Sequence, residues 1–442
     1  LTDCGKGQCK TAEVSREVEP GASARAQGDQ TSRFRRVLLL FLTADGLAAV
    51  GLAAMSAQTV VAVLLKQVGF ANIVIGISMA IPTLAVAVAQ VPCAFWASRA
   101  EHKGLWLARL RLGESLPRFL LIGGALLAAP GRPAATVALV FLPLFLGWLA
   151  GGAWRPLRAE LDGRLVSQAL RGRYQATMMV AKVVLALAGA ALARSLLGDI
   201  GGREGFAACF AAAAVFGAVS ALPMRHLPEP EGRDSPKEGA FWAYLRALCR
   251  GMAGDANCRN FLLGRALVGL GHMADGFLAV YALERFHLPV SNAPLFMIPA
   301  LLGQGVGSVL WGYVGDRRGH RAVQLAVCSQ YALALLVALV APTPWFFALT
   351  FCLTGMAFAA DVVSTTNFLL ESAPQSDLMG YVGLANSLIS PIFALSAVLG
   401  GAIADLTSFG VLFAVTALVW VAALWIILAY VRDPRALKAP AP

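Results

Sequence analysis

A chain of 442 residues in which 58% of side chains are hydrophobic and only 14% charged departs from soluble domains, where about a quarter of residues carry charge. Its formal net charge of +11 does not call for nucleic acid, because membrane proteins concentrate Lys and Arg in cytoplasmic loops. The eight cysteines (Cys4, Cys9, Cys93, Cys209, Cys249, Cys258, Cys328 and Cys352) are scattered without paired ligand spacing, so neither a metal centre nor another cofactor is expected.

Residues 1–34 are polar, mixed in charge and without an apolar h-region. They read as a disordered cytoplasmic tail and not as a cleaved signal. Apolar stretches long enough to cross a bilayer then recur at 37–65, 73–97, 105–129, 135–154, 174–197 and 206–222. A second set follows at 260–283, 292–313, 322–341, 345–370, 381–404 and 411–431. Lipid offers the backbone no hydrogen bonds, so each stretch must be a helix. The expected fold is an all-α membrane protein of twelve transmembrane helices in two pseudo-symmetric six-helix bundles. Its organisation is a tail at 1–34, a bundle at 35–223, a cytoplasmic linker at 224–258, a second bundle at 259–431 and a cytoplasmic tail at 432–442.

Cation placement gives the orientation. Of the 36 Lys and Arg residues, 28 fall on segments that lie inside if the N-terminus does. Four fall outside (Lys66, Arg132, Arg203, Arg285) and four within spans (Arg118, Lys182, Arg194, Arg265). Both termini are therefore expected in the cytoplasm. The run Ala44-Asp45-Gly46-Leu47-Ala48-Ala49-Val50 in the first span matches Ala274-Asp275-Gly276-Phe277-Leu278-Ala279-Val280 in the seventh at five of seven positions, which suggests duplicated halves with an identically placed Asp-Gly.

Between the eighth and ninth spans stands Gly312-Tyr313-Val314-Gly315-Asp316-Arg317-Arg318-Gly319-His320-Arg321. This resembles the signature loop of the major facilitator superfamily, and Ala94 to Lys103, with Ser98 in place of the Asp but Arg99 and Lys103 retained, resembles a degraded first-half copy. With twelve spans and a basic linker, the resemblance covers nearly everything from Arg35 to Val431. It implies a secondary active transporter working by alternating access, in which the loop holds the cytoplasmic side shut in the outward-facing state. From the residues themselves, Gly312 and Gly315 allow close helix approach, Asp316 suits a helix N-terminus, and Arg317 and Arg321 can bridge to Glu371. Glu160 is the corresponding partner for Arg99 and Lys103.

Charges within spans each need a partner, a wet cavity or a function. Asp45 stands about 8 residues into its helix, roughly 12 Å deep at 1.5 Å per residue. Arg265, His272 and Asp275 share a face of the seventh span. The resemblance implies that the first, fourth, seventh and tenth helices line a central cavity, and Asp361 lies in the tenth. Asp45, Asp275 and Asp361, with His272 and Arg265, read as a proton-handling or cation-binding set, because burial favours the neutral carboxyl and histidine ordinarily titrates near neutrality. Gln58, Gln90, Gln304, Asn367, Asn386 and Lys182 are candidate substrate contacts. Glu114 and Arg118, four apart, should pair on one helix near the interface. Pro82, Pro299 and Pro391 should kink spans two, eight and eleven. Gly303-Gln304-Gly305-Val306-Gly307 should be a packing face.

Proton-driven drug exporters of the superfamily usually carry a Gly-Pro-Gly-Gly-type run in span five, where this chain reads Leu187-Ala188-Gly189-Ala190-Ala191-Leu192-Ala193 without Pro, and an Arg inside span four. No basic residue precedes Arg155 in that span, which disfavours multidrug antiport. No His-Glu-x-x-His, nucleophile elbow or nucleotide-binding loop is present, so an enzyme is not expected. The expected partners are the lipid bilayer, a small-molecule substrate and protons, with no nucleic acid, for a monomer in the bacterial cytoplasmic (inner) membrane. A transporter-like sensor or assembly factor, and a drug or metabolite exporter of the same fold, are the alternatives.

Overall fold

The computed structural model describes residues 20–97, 102–127, 133–166, 171–228, 241–372 and 378–433. Among the described residues every regular element is helical, as a lipid environment requires. The first half comprises α1 (Pro20–Ala54), α2 (Ala62–Gln67), α3 (Asn72–Ala97), α4 (Lys103–Ser115), α5 (Arg118–Leu127), α6 (Pro133–Leu165), α7 (Arg171–Ser195) and α8 (Gly202–Val219). After α9 (Phe241–Gly254), the second half comprises α10 (Ala256–Gly271), α11 (Leu278–Arg285), α12 (Met297–Arg318), α13 (His320–Val340), α14 (Pro344–Ser372), α15 (Leu378–Leu406) and α16 (Phe409–Tyr430). Large apolar side chains such as Val309, Val340 and Leu418 are exposed on the outer faces of these helices, where lipid takes the place of water.

Among the described residues eleven stretches are long and apolar enough to cross a membrane. The expected third span is the exception, because it is divided into α4 and α5 at Leu116-Pro117. Pro117 has no N–H to donate, and Arg111, Glu114 and Arg118 charge the segment. Both pieces nevertheless lie along α6 and α8, as one continuous span would. The N-terminal stretch departs from expectation. Helix α1 begins at Pro20, inside the segment read as a disordered tail, with proline at the first helical position, where its missing N–H costs nothing, and helix-forming Ala, Arg and Gln after it. Residues 1–19 lie outside the described residues.

Within the first half α1 packs on α7 and α8, and α3 on α6. Within the second, α10 packs on α15 and α16, and α13 on α14 and α16. The halves meet along α3 with α15 and α7 with α12. Small residues set the closest approaches. Gly303 and Gly307 abut the backbone of Cys352 and Met356 where α12 crosses α14, whereas Gly305 faces open space. Pro82 and Pro391 stand inside α3 and α15 as expected. Pro299 instead falls in the first turn of α12, where no helical hydrogen bond is lost, so it does not kink that helix.

Spans one and seven are both interrupted. The first passes from α1 through Met55-Ser56 into a π-helical turn, Ala57–Val61, where the N–H groups of Thr59, Val60 and Val61 converge on the Ser56 carbonyl at 3.3, 2.8 and 3.1 Å. The seventh breaks between Gly271 and Leu278. Asp45 lies within α1, well before its break, while Asp275 lies inside its own, so the matching heptapeptides are out of register and the Asp-Gly is not identically placed. An interrupted helix strands carbonyls in lipid, and here the Trp420 indole donates to the Gly271 carbonyl at 2.7 Å. A side chain on Gly271 would overlap that indole. Gly271→Val is expected to cost about 1–3 kcal/mol by overpacking, read as a lower unfolding midpoint in detergent, with Gly305→Val as the neutral comparison.

Candidate functional site

A cavity of about 720 Å³ lies between the two halves, within the range of small-ligand sites. It is lined from the first half by Asp45, Gln58, Arg111, Glu114, Trp148, Trp154, Arg155 and Lys182, and from the second by His272, Asp275, Gln304 and Asp361. The acids of spans one, seven and ten therefore do converge on one space. Arg265 stands behind the wall, buried, and reaches it by pairing with Asp361. Gln90, Asn367 and Asn386 do not line this cavity; they sit partly buried elsewhere on α3, α14 and α15.

The first-half wall is a chain of ion pairs. Asp45, 5% exposed, is 3.1 Å from Arg158, 3.1 Å from Lys182 and 3.5 Å from Arg111. Arg111 continues to Glu114 at 3.2 Å, and Glu114 accepts from Arg118 at 2.7 Å and from the Trp154 indole at 2.8 Å. The spacing of Arg111, Glu114 and Arg118 puts all three on one helical face, and that face turns into the bundle. The Glu114–Arg118 pair forms as expected, but buried instead of near the interface. Arg158 also donates to Asp162 at 2.9 Å and to the Tyr174 hydroxyl at 2.8 Å, Tyr174 in turn donating to Asp162 at 2.7 Å. Its guanidinium lies 3.5 Å from the Phe41 ring centroid, a cation–π contact that offsets desolvation.

The second-half wall reverses the polarity. In the first half the acid is on span one and its arginine on span four; here Arg265 is on span seven and Asp361 on span ten. Asp361 also accepts from Gln324 and Thr365, each at 3.2 Å. His272 pairs through Nδ1 with Asp275 at 2.7 Å, and its ring sits among Tyr331, Phe393 and Trp420 at 5.0, 5.0 and 5.2 Å between centroids. The break at His272 ends the stripe that Arg265, His272 and Asp275 were expected to share, so Arg265 pairs with span ten and His272 with Asp275. Among the described residues no three His, Cys, Asp or Glu side chains converge on a metal position.

At the end of the bundle away from the termini the halves are tied together. Lys66 is 3.2 Å from Glu284, and the Asp405 carboxylate accepts from the backbone N–H of Asn72 at 2.9 Å and Ile73 at 2.8 Å, where the start of α3 favours negative charge.

At the opposite end the signature loop departs from expectation in several respects. Gly312 faces open space and Gly315 packs on His320 and Val323 of its own loop. Asp316 stands in the last turn of α12, not at a helix start. Gly319, with φ +83, takes the left-handed turn and has the Asp433 carboxylate against it. Glu371 faces His320 at 3.7 Å, not Arg317 or Arg321. Arg317 lies over Tyr313, 4.2 Å from the ring centroid, and Arg321 donates to the Leu428 carbonyl at 2.7 Å. Lys103 does pair with Glu160, which also meets Arg164 at 3.1 Å. Arg99 lies outside the described residues.

The apolar stretch of span four ends at Trp154, so the cation count places Arg155 and Arg158 in the inner loop that follows, and it counts Arg111 on the inner side of span three. Helix α6 continues to Leu165, which carries Arg155 and Arg158 inside span four, and α4 carries Arg111 into the bundle. The missing basic residue of span four was thus a boundary error, and the argument it supplied against drug export falls away. The available signal was the spacing of Arg158 and Asp162, which form an i,i+4 pair.

Residues 261–442 match the family described as Major Facilitator Superfamily. The human MFS-type transporter SLC18B1 is 22% identical over 190 residues, and the match spans only 40% of this chain and 40% of that relative. The nucleoside transporter NupG shares the fold at TM-score 0.68 and 13% identity, over 91% of this chain and all of that one. The xylose transporter XylE from E. coli, in a partially occluded inward-open conformation, does so at TM-score 0.67 and 14% identity, over 93% and 100%. By sequence over residues 261–442 this chain is similar to the Major Facilitator Superfamily, and along its length it has the multi-pass membrane fold of these solved transporters.

Proposed function

We propose that the protein is a secondary active transporter that moves a small solute by alternating access and couples the movement to protons. The observation that carries this reading is the convergence of Asp45, Asp275 and Asp361, from spans one, seven and ten, on one cavity between two helical bundles. The clasp of Lys66 with Glu284 and of Asp405 with the start of α3 supports a state closed at that end. Lys103–Glu160 and His320–Glu371 each lie within one half, and the signature loop is read as the latch of the alternate state. With both termini cytoplasmic, as the cation asymmetry favours even without Arg111, Arg155 and Arg158, the clasped state faces inward, in a bacterial inner membrane. A transporter-like sensor would bind the same solute without moving it, which counterflow in liposomes distinguishes.

Coupling is best tested at Asp275. Asp45 holds three cations, so Asp45→Asn would confound coupling with stability. Asp275 is 24% exposed, lines the cavity and has His272 as its partner. Asp275→Asn is expected to reduce gradient-driven uptake in reconstituted vesicles at least tenfold, while counterflow without a gradient survives. Uptake with an unaltered pH profile would remove the proton from the mechanism.

A further inference from the structure

The charges of the first-half wall do not cancel. Five cations, Arg111, Arg118, Arg155, Arg158 and Lys182, face three acids, Asp45, Glu114 and Asp162, and each acid is already engaged. Asp45 is held by Lys182, Arg158 and Arg111; Glu114 by Arg111 and Arg118; Asp162 by Arg158. Two positive charges are left over. The two cations that open onto the cavity are Lys182, 47% exposed, and Arg155, which among the described residues has no carboxylate within 4 Å; the Trp148 ring centroid lies 5.7 Å from it, and Glu114 and Arg111 are its charged neighbours. Across the cavity Arg265 neutralises Asp361, and Asp275 with His272 completes the far wall. The field therefore runs from a positive wall on spans four and five to a neutral or negative wall on span seven. Uncompensated cations at membrane depth, with little water to screen them, draw an anion.

Resting on the transport reading, we propose that the ligand of this cavity is an organic anion whose carboxylate, or an oxyanion of like charge, docks on Arg155 and Lys182. Its apolar body lies along Trp148 and Trp154, and a hydrogen-bond donor at its other end faces Asp275. Arg155 supplies a planar fork that matches an oxyanion. Lys182 gives up its share of Asp45 to the ligand, since two arginines still hold that acid. A solute carrying only positive charge meets repulsion on the first-half wall and is excluded there.

The test uses the purified full chain in detergent and two probe sets of matched shape: benzoate, benzamide and benzylammonium, and hexanoate, hexanamide and hexylammonium. The carboxylate of at least one set is expected to raise the unfolding midpoint, with its amide and ammonium partners inert at equal concentration. Arg155→Gln should weaken carboxylate binding at least about tenfold, and Arg155→Lys should recover part of it. Equal binding by wild type and Arg155→Gln, binding of the ammonium probes alone, or a shift reproduced by chloride at the same concentration would each overturn the proposal. Carboxylate binding without carboxylate transport in vesicles would support the anion site and count against the transport reading. Gradient-driven transport of the ammonium probes would do the reverse.

Discussion

Arg158→Met is expected to lower stability by about 3–5 kcal/mol, the range for breaking a buried ion pair from one side, and to show as a large fall in the unfolding midpoint and in monodisperse yield. The size follows from what Arg158 holds. Its guanidinium is 9% exposed and bridges Asp45 on span one to Asp162 and Tyr174. Asp45 keeps Lys182 and Arg111 after the substitution, so most of the loss falls on Asp162, left with the Tyr174 hydroxyl alone. Adding Asp162→Asn should therefore recover part of the deficit, with a coupling of about 1–3 kcal/mol. Strictly additive effects of Arg158→Met and Asp162→Asn would refute this assignment of the loss.

The same network shows where sequence reasoning reached and where it stopped. Helix number and the in-membrane acids were readable because lipid enforces both: twenty apolar residues per crossing and a penalty on every buried charge. Asp45 and Asp275 follow from that penalty, and Asp361 from the resemblance, which places the tenth helix at the cavity. Arg155 and Arg158 did not, because hydropathy marks where apolar character ends, and α6 continues as a helix through Arg164 with Arg158 turned inward onto Asp45 and Arg155 onto the cavity. Helix boundaries belong to the backbone, while hydropathy belongs to side chains, and the two part wherever cations find buried acids. The Asp-Gly match misled for a related reason. The backbone breaks after Ala54 and Gly271, which put Asp45 within a helix and Asp275 within a break, depend on tertiary support such as the Trp420–Gly271 hydrogen bond and leave little trace in a seven-residue match. The signature loop was legible as a motif but not in its partners: Glu371 meets His320 and not the motif's arginines.

Arg265 and Asp361 offer a test that separates structure from transport. Arg265→Gln leaves Asp361, 9% exposed, with only the neutral donors Gln324 and Thr365, and Asp361→Asn leaves Arg265 buried with no carboxylate. Each single substitution is expected to cost about 3–5 kcal/mol because a buried charge loses its counter-ion. The double variant Arg265→Gln/Asp361→Asn removes both charges together, and neutral amides of similar size can hydrogen-bond in their place, so the unfolding midpoint should return most of the way to wild type. Gradient-driven transport should stay at least tenfold below wild type in all three, because the double variant restores packing and not charge. If the double variant transports normally, the pair is a structural tie and the ionisable machinery of the second half reduces to His272 and Asp275. If it stays as unstable as the singles, the stability of this wall comes from shape and not from charge balance, and the reversed polarity of the two halves has no energetic meaning.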